Sequence, residues 1–227
     1  MRVLAIDTAL AACSGAVLDT AYGGIVARES LAMTRGHAEA LMPLLRRLMD
    51  AAGLTFPDID RIAVTTGPGS FTGLRVGIAA ARGIALAAER PAVGVSTLSA
   101  YAAPHMAADD KLPVIAAIDA RHDHVFLQVF GPGGRTFTPA RLASLQEAVR
   151  AAQEAPCCIV GSAAQAVAAA LSGDAYASSL VDARAAPDID WVARLGAVVA
   201  ESGAPPRPQY LRGVDAQPQN AAQLPRR

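Results

Sequence analysis

Asp7, Thr8 and Ser14 open the chain in MRVLAIDTALAACSG, a carboxylate and two hydroxyls grouped around one short chain reversal. Such a set can orient a phosphate, and an Asp at this place can equally cap its own turn. The second stretch able to do chemistry is GPGSFTGLRVG, residues 67–77. Gly67, Gly69 and Gly73 permit backbone geometry and close approach that a Cβ would forbid. Ser70 or Thr72 can cap the helix that follows. The N–H groups and positive end of that helix, at the carboxyl edge of a sheet, form a place for an anion. The spacing is not GxGxxG, because one residue too many separates Gly69 from Gly73. Nor is it a P-loop, because Leu74 follows Gly73 where Lys is required. On spacing alone, a tight strand-to-helix turn without a ligand accounts for it as well.

Other candidates fail on chemistry. His37 and Glu39 share one segment, but the positions where a second helical metal ligand is needed hold Ala40 and Leu41. His122 and His124 alternate beside Asp119 and Asp123, which reads as a polar strand edge, and His105 stands alone. Asp58 and Asp60 read as turn residues. GxSxG, HExxH and CxxC are all missing, and no nucleophile has a base near it in sequence. Neither a metal site nor a catalytic set is expected.

Those residues need a framework of adequate size. At 227 residues the chain can bury a substantial core. Lys plus Arg balances Asp plus Glu at 20 each, so no basic footprint argues for unaided nucleic-acid binding. Cys13, Cys157 and Cys158 are odd in number and two are adjacent, which is poor material for disulfides. Asp7 interrupts the first apolar run too early for a signal peptide. The apolar helix after Gly73 is broken by Arg75, Arg82 and Glu89, short of an uninterrupted span of about 18 residues. The expectation is a soluble, cytoplasmic protein with reduced cysteines and no membrane partner.

The segments 2–7, 12–19 and 22–31 read as three strands, followed by a helix, a strand at 61–66, a helix running to Pro91 and a strand at 92–96. Three strands followed by αβαβ is the pattern of a ribonuclease-H-like half domain, the unit of actin, hexokinase and Hsp70 folds. Ala5-Ile6-Asp7 is echoed by Ala117-Ile118-Asp119, each opening a hairpin. The fold class expected is α/β, actin-like (ASKHA), with two lobes each built on a mixed sheet and helices, the second lobe reduced. Residues 131–156 read as loop plus one amphipathic helix, 157–161 as a short buried strand leading to an alanine-rich helix, and 188–202 as a helix with Trp191, Leu195, Val198 and Val199 on its apolar stripe. The expected division is 1–103, 104–215 and a flexible tail, 216–227, ending in Arg226 and Arg227.

Two helices stand out. In the first, from about His37 to Ala52, Leu41, Leu44, Leu45, Leu48 and Ala52 form an apolar stripe, with Pro43 within it and Met42 and Met49 on a second line. In the second, Gly73, Gly77, Ala81 and Ala85 form a ridge of small residues suited to a closely packed helix. Its other faces carry Leu74, Val76, Ile78, Ile84 and Leu86. A helix so apolar must be covered on more than one side. The covering element is the first helix, a partner, or both.

The string GPGSFTGLRVG resembles the signature of the TsaB (YeaZ) family, the dimerisation subunit of the bacterial tRNA threonylcarbamoyladenosine machinery. The likeness extends to MRVLAIDTALAACSGAVL, GHAEALMPLL, PAVGVSTLSA, VIAAIDAR and PQYLR, in the same order. The resemblance implies an actin-like fold and a non-catalytic scaffold. Its partners would be the catalytic paralogue TsaD, the ATPase TsaE through that assembly, a second copy of itself, and tRNA only indirectly. It implies that the partner surface lies on the two helices, at His37, Leu41, Leu45, Gly73, Val76, Gly77, Ala80 and Ile84. The catalytic paralogue holds its metal partly through two histidines, and here Thr97 and Tyr101 stand at those positions, poor substitutes for imidazole. No cofactor is required, and ATP or ADP at the cleft or the partner interface is the open question, with Asp7, Thr8, Ser14, Gly67, Gly69, Ser70 and Gly73 as the residues that would meet it. A stand-alone actin-like phosphotransferase and a metallopeptidase are the rival readings.

Overall fold

The computed structural model describes residues 1–109, 111–171, 179–201 and 203–212. Strands β1 (Arg2–Asp7), β2 (Ala12–Asp19) and β3 (Gly24–Ala32) form an antiparallel meander, and β4 (Arg61–Gly67) and β5 (Ala92–Ser96) extend it in parallel. The sheet order is β3-β2-β1-β4-β5. Helices α1 (His37–Ala52) and α2 (Phe71–Ala88) supply the connections. Helix α3 (Thr97–Ala108) then leads into a second sheet built from β6 (Val114–Asp119), β7 (His124–Phe130), β8 (Thr136–Ser144), β9 (Cys158–Val160) and β10 (Leu180–Asp182). Its order, β10-β9-β6-β7-β8, repeats the first when read from the other end. The three-residue echo at Asp7 and Asp119 therefore marks two units of one topology, the actin-like arrangement of two mixed sheets.

Burial explains the strand sequences. β2 is buried along its whole length and β1 nearly so, as expected of strands covered on both faces. On one face Leu4, Ile6 and Val17 pack with Leu41, Leu44, Leu45 and Leu48 of α1 and Leu74 and Ile78 of α2. On the other face Val3, Ala5, Ala16 and Ala63 pack with Ile189, Val192 and Ala193 of the last described helix, α6 (Ile189–Val198). Glycine sets two of these approaches. A Cβ on Gly15 would sit 3.0–3.2 Å from Leu48, Leu44 and Leu45, and one on Gly196 would sit 2.2 Å from the Cβ of Ala63. Arg61 fastens the end of α6: its Nη1 donates to the carbonyls of Gly196, Ala197 and Val199 at 3.0–3.2 Å.

In the second unit, α4 (Leu145–Gln153) and α5 (Ala164–Ala169) cover one face of the sheet and α3 covers the other. Ser144 caps α4 reciprocally with Glu147, whose carboxyl the Ser144 amide, Arg141 and the Ser144 hydroxyl hold down at about 2.

Three sequence expectations change. The stretch 131–156 contains a nine-residue strand, β8, so the second sheet has as many strands as the first. Its reduction lies in length, with β9 and β10 only three residues each. In α6 the buried residues are Ile189, Val192, Ala193 and Gly196, one position off the expected stripe, and Val198 is 80% exposed. The close contact at Gly196 sets that rotation. Helix α2 spans 18 residues and, by length and composition, is apolar enough to cross a membrane, against expectation; 39% of it is buried, and it packs on β4 and α1. The stretch 216–227, with Arg226 and Arg227, lies outside the described residues.

Candidate functional site

The carboxylate of Asp7 lies at the end of β1, wholly buried. One oxygen accepts from Thr65 Oγ1 at 2.6 Å and from the Ala9 amide at 3.0 Å, and the other has no hydrogen-bond partner. Burial pushes its pKa above the ordinary value, and these two donors, with the more remote His37, oppose the rise. Asp7 therefore does cap its own turn. Ser14, directly across the ladder from it, pairs with Ser30 of β3 at 2.7 Å. Thr8 donates to the Gly73 carbonyl at 2.7 Å. The three side chains are all buried, each with a different partner.

The glycine turn meets the same hairpin from the other side. Ser70 is the N-cap of α2, its hydroxyl accepting from the Gly73 amide, and its own N–H donates to the Ala9 carbonyl. A Cβ on Gly69 would lie 2.4 Å from the Ala9 oxygen, one on Gly73 2.1 Å from the Thr8 oxygen, and one on Gly77 2.4 Å from Thr8 Oγ1. Gly69 and Gly73 are required because two backbones touch, and Gly77 because the Thr8 hydroxyl lies against the helix. Gly67, at φ +114°, precedes a cis proline and faces the backbone oxygen of Gln209, 2.8 Å from where its Cβ would be. The ridge Gly73-Gly77-Ala81-Ala85 is thus buried in the chain, and the β1–β2 turn packs on its glycines in place of a second helix.

The helical flank is distributed differently from the sequence reading. His37, Leu41, Leu45, Gly73, Gly77 and Ile84 are buried by the chain itself, and Val76 and Ala80 are half-buried. His37 Nε2 donates to the Leu10 carbonyl at 3.1 Å. Facing outward between α1 and α2 is a groove of ≈ 430 Å³ lined by Met42, Phe56, Pro57, Ala80, Gly83 and Ile84 among others. Met42, Phe56 and Pro57 also border an adjoining hollow of ≈ 790 Å³ beside Pro43 and Met49. Met42 is 48% exposed and Leu86 82%. Gly83 has nothing within 4 Å of the Cβ it lacks. Met42 and Gly83 were missed as surface residues, although Gly83 falls outside the four-residue ridge and so had no internal reason to be small.

Thr97 begins α3 and is fully buried, its hydroxyl without a hydrogen-bond partner. Tyr101, one turn on, is buried, donates its hydroxyl to the Arg184 carbonyl at 2.9 Å, and has its pKa raised by burial. His105 meets Asp182 at 2.8 Å, and Arg184 clamps the same carboxylate. His122 lies in a turn where Arg121, His122 and Asp123 all have positive φ, and His124 opens β7; the alternation along a strand does not occur. Among the described residues no three His, Cys, Asp or Glu side chains are grouped to hold a metal ion. Cys13, Cys157 and Cys158 are free and buried, and burial raises the Cys13 thiol to about 11.

Comparison with known proteins gives three findings. The sequence model of the family described as TsaD, tRNA N6-adenosine threonylcarbamoyltransferase, matches residues 13–203. The chain is 41% identical over 126 residues to the tRNA threonylcarbamoyladenosine biosynthesis protein TsaB of Escherichia coli, a match covering 56% of this chain and 53% of that protein. The chain thus spans about half the length of the curated relatives it matches. Among solved structures, YeaZ from Pseudomonas aeruginosa superimposes with a TM-score of 0.75 at 27% identity, covering 92% of this chain and 99% of that one. The ethanolamine utilization protein EutJ from Carboxydothermus hydrogenoformans, at 12% identity and TM-score 0.52 over 86% of this chain and 90% of that one, shares the fold.

Proposed function

The chain belongs to the TsaD family of tRNA N6-adenosine threonylcarbamoyltransferases and, within it, to the TsaB (YeaZ) group, and from that premise we propose that it is a non-catalytic scaffold in tRNA threonylcarbamoyladenosine biosynthesis. It binds the catalytic paralogue TsaD, and with it the ATPase TsaE, so that TsaD modifies N6 of the adenosine beside the anticodon in tRNAs reading codons that start with A. A second copy of the chain uses the same helices when TsaD is absent. Its place of work is the cytoplasm.

The observation that carries this reading is the uncovered apolar groove between α1 and α2, with Met42 at its lip and Gly83 in its floor. An apolar helix pair open on one side supports a helical partner laid across it. The partner-facing residues are then Met42, Ala80 and Gly83, with Val76 beside them; the buried Leu41, Leu45 and Ile84 support them from beneath.

Two features support a non-catalytic role. Tyr101 occupies a position where the paralogue uses a metal-binding imidazole, and its hydroxyl is engaged by the Arg184 carbonyl. At the glycine turn the Ser70 amide is engaged by the Ala9 carbonyl and the Gly73 amide by the Ser70 hydroxyl, so two of the N–H groups that could meet a phosphate are already used, which disfavours a stand-alone phosphotransferase. ATP or ADP at the cleft or at the partner interface is tested by calorimetric titration of the chain alone and with TsaD.

The central test is reconstitution. Purified chain, TsaD, TsaE, substrate and tRNA should give modified tRNA, and omission of the chain should abolish it. Modification by the isolated chain, or full activity of TsaD without it, overturns the proposal.

A further inference from the structure

The segment 205–212 crosses from one sheet to the other over the glycine turn. At its centre the Gln209 amide donates to the Thr66 carbonyl at 2.7 Å, adding a backbone link at the carboxyl end of β4. The Gln209 carbonyl lies over the face of Gly67 that lacks a side chain. Pro206, which is buried, packs near Gly94 of β5. Tyr210 stacks on Phe71 with ring centroids 5.1 Å apart and planes at 29°, and its hydroxyl accepts from Arg75 Nε at 3.1 Å. Arg75 also sits 3.8 Å above the Phe71 ring. Two residues on, Arg212 Nη1 donates to the Ala120 carbonyl at 2.9 Å, at the turn that follows β6 in the second sheet.

We propose that residues 205–212 are a latch that holds the two sheets at a fixed angle and covers the glycine turn, so that its release opens the cleft between the end of β4 and the β6–β7 turn. Gln209 and Tyr210 grip the first unit through β4 and α2, and Arg212 grips the second. A short segment fixed at both ends transmits displacement between them, because little slack remains over so few residues. The grips also differ in kind. The aromatic stack with its arginine is partly exposed, Phe71 and Tyr210 each 46% accessible, so it is the end able to part without unfolding either sheet.

The test uses the full chain with nitroxide labels on Thr72→Cys and Asp123→Cys, both exposed positions on opposite units. The native cysteines are buried and so are shielded from the label. The label-to-label distance is measured by pulsed electron resonance and amide hydrogen exchange is followed in parallel. Tyr210→Ala and, separately, Arg212→Ala should each lengthen and broaden the distance distribution. Each should also speed exchange of the Gln209 amide by roughly tenfold or more. Gln209→Pro, which removes the amide donor to Thr66 and also restricts the backbone at 208–209, should widen the distance distribution in the same direction. Faster exchange with an unchanged distance distribution in Tyr210→Ala and Arg212→Ala means local fraying only and overturns the latch. Unchanged exchange and distance overturn it as well.

Discussion

The hydroxyl of Thr8 occupies the volume that a side chain at position 77 would need: a Cβ on Gly77 would lie 2.4 Å from the oxygen that donates to the Gly73 carbonyl. One hydroxyl thus fixes both the height of α2 above the sheet and the exclusion of any larger residue at its second turn.

Gly77→Ala is expected to destabilise the chain by about 1–3 kcal/mol through overpacking. Thr8→Ala alone should cost about 1 kcal/mol for the lost buried hydrogen bond. Because the two residues share one contact, the double variant should be less destabilised than the sum of the single ones. Urea unfolding of the four proteins measures this, and strict additivity would contradict the contact.

Asp7 links stability to pH. Burial raises its folded pKa above the unfolded value of 3.8. The folded state therefore holds the proton more tightly, so its contribution is greatest below 3.8 and is lost as pH rises through the folded pKa. Asp7→Asn cannot ionise and escapes that loss. Its urea midpoint relative to the parent should rise as the pH is raised above the unfolded value of 3.8. A difference that stays constant as pH rises above 3.8 argues against a buried, hard-to-ionise carboxyl.

Arg61 predicts a contrast between two partners. Its three bonds to the end of α6 are part-buried, whereas Glu201, which meets Nη2 at 2.6 Å, is about half exposed. Arg61→Met should cost about 2 kcal/mol because a charged donor to carbonyls is lost. Glu201→Gln should change stability by less than about 1 kcal/mol, as a surface ion pair does. Thermal unfolding of both variants separates the two roles, and equal losses would refute the assignment.

The proposed partner surface can be tested apart from the fold. Gly83→Arg points into open space and should leave the unfolding midpoint of the isolated chain unchanged or slightly raised. The same substitution, like Ala80→Arg, should weaken association with TsaD by several kcal/mol by placing an unpaired charge in a desolvated contact. Size-exclusion chromatography and calorimetry of the mixtures give the readout. Undiminished complex formation by both variants would remove this face from the interface.

Much of this molecule was legible in its residues. The buried runs RVLAID and VIAAID, the apolar stripe of α1 and the glycine turn with its Ser70 cap are local patterns, and each lies where the sequence predicts. The ordered motifs carried the family in the same way. Strand β8 was not legible because TFTPARLAS contains Pro139 and alternates between exposed and half-buried positions at a sheet edge, where side chains need not be apolar.

What only the tertiary structure decided is which neighbour each small or apolar residue meets. The spacing of Gly73 and Gly77 announces a close approach, yet it does not say that the approaching group is the Thr8 segment. Nor does it say that Leu41 and Leu45 turn inward while Met42 and Gly83 face out. Arg75 meets Tyr210 across 135 residues and Arg61 meets Val199 across 138. Contacts of that span leave no periodicity in the chain, because they are fixed by how the sheets and helices pack and not by any repeat along the backbone.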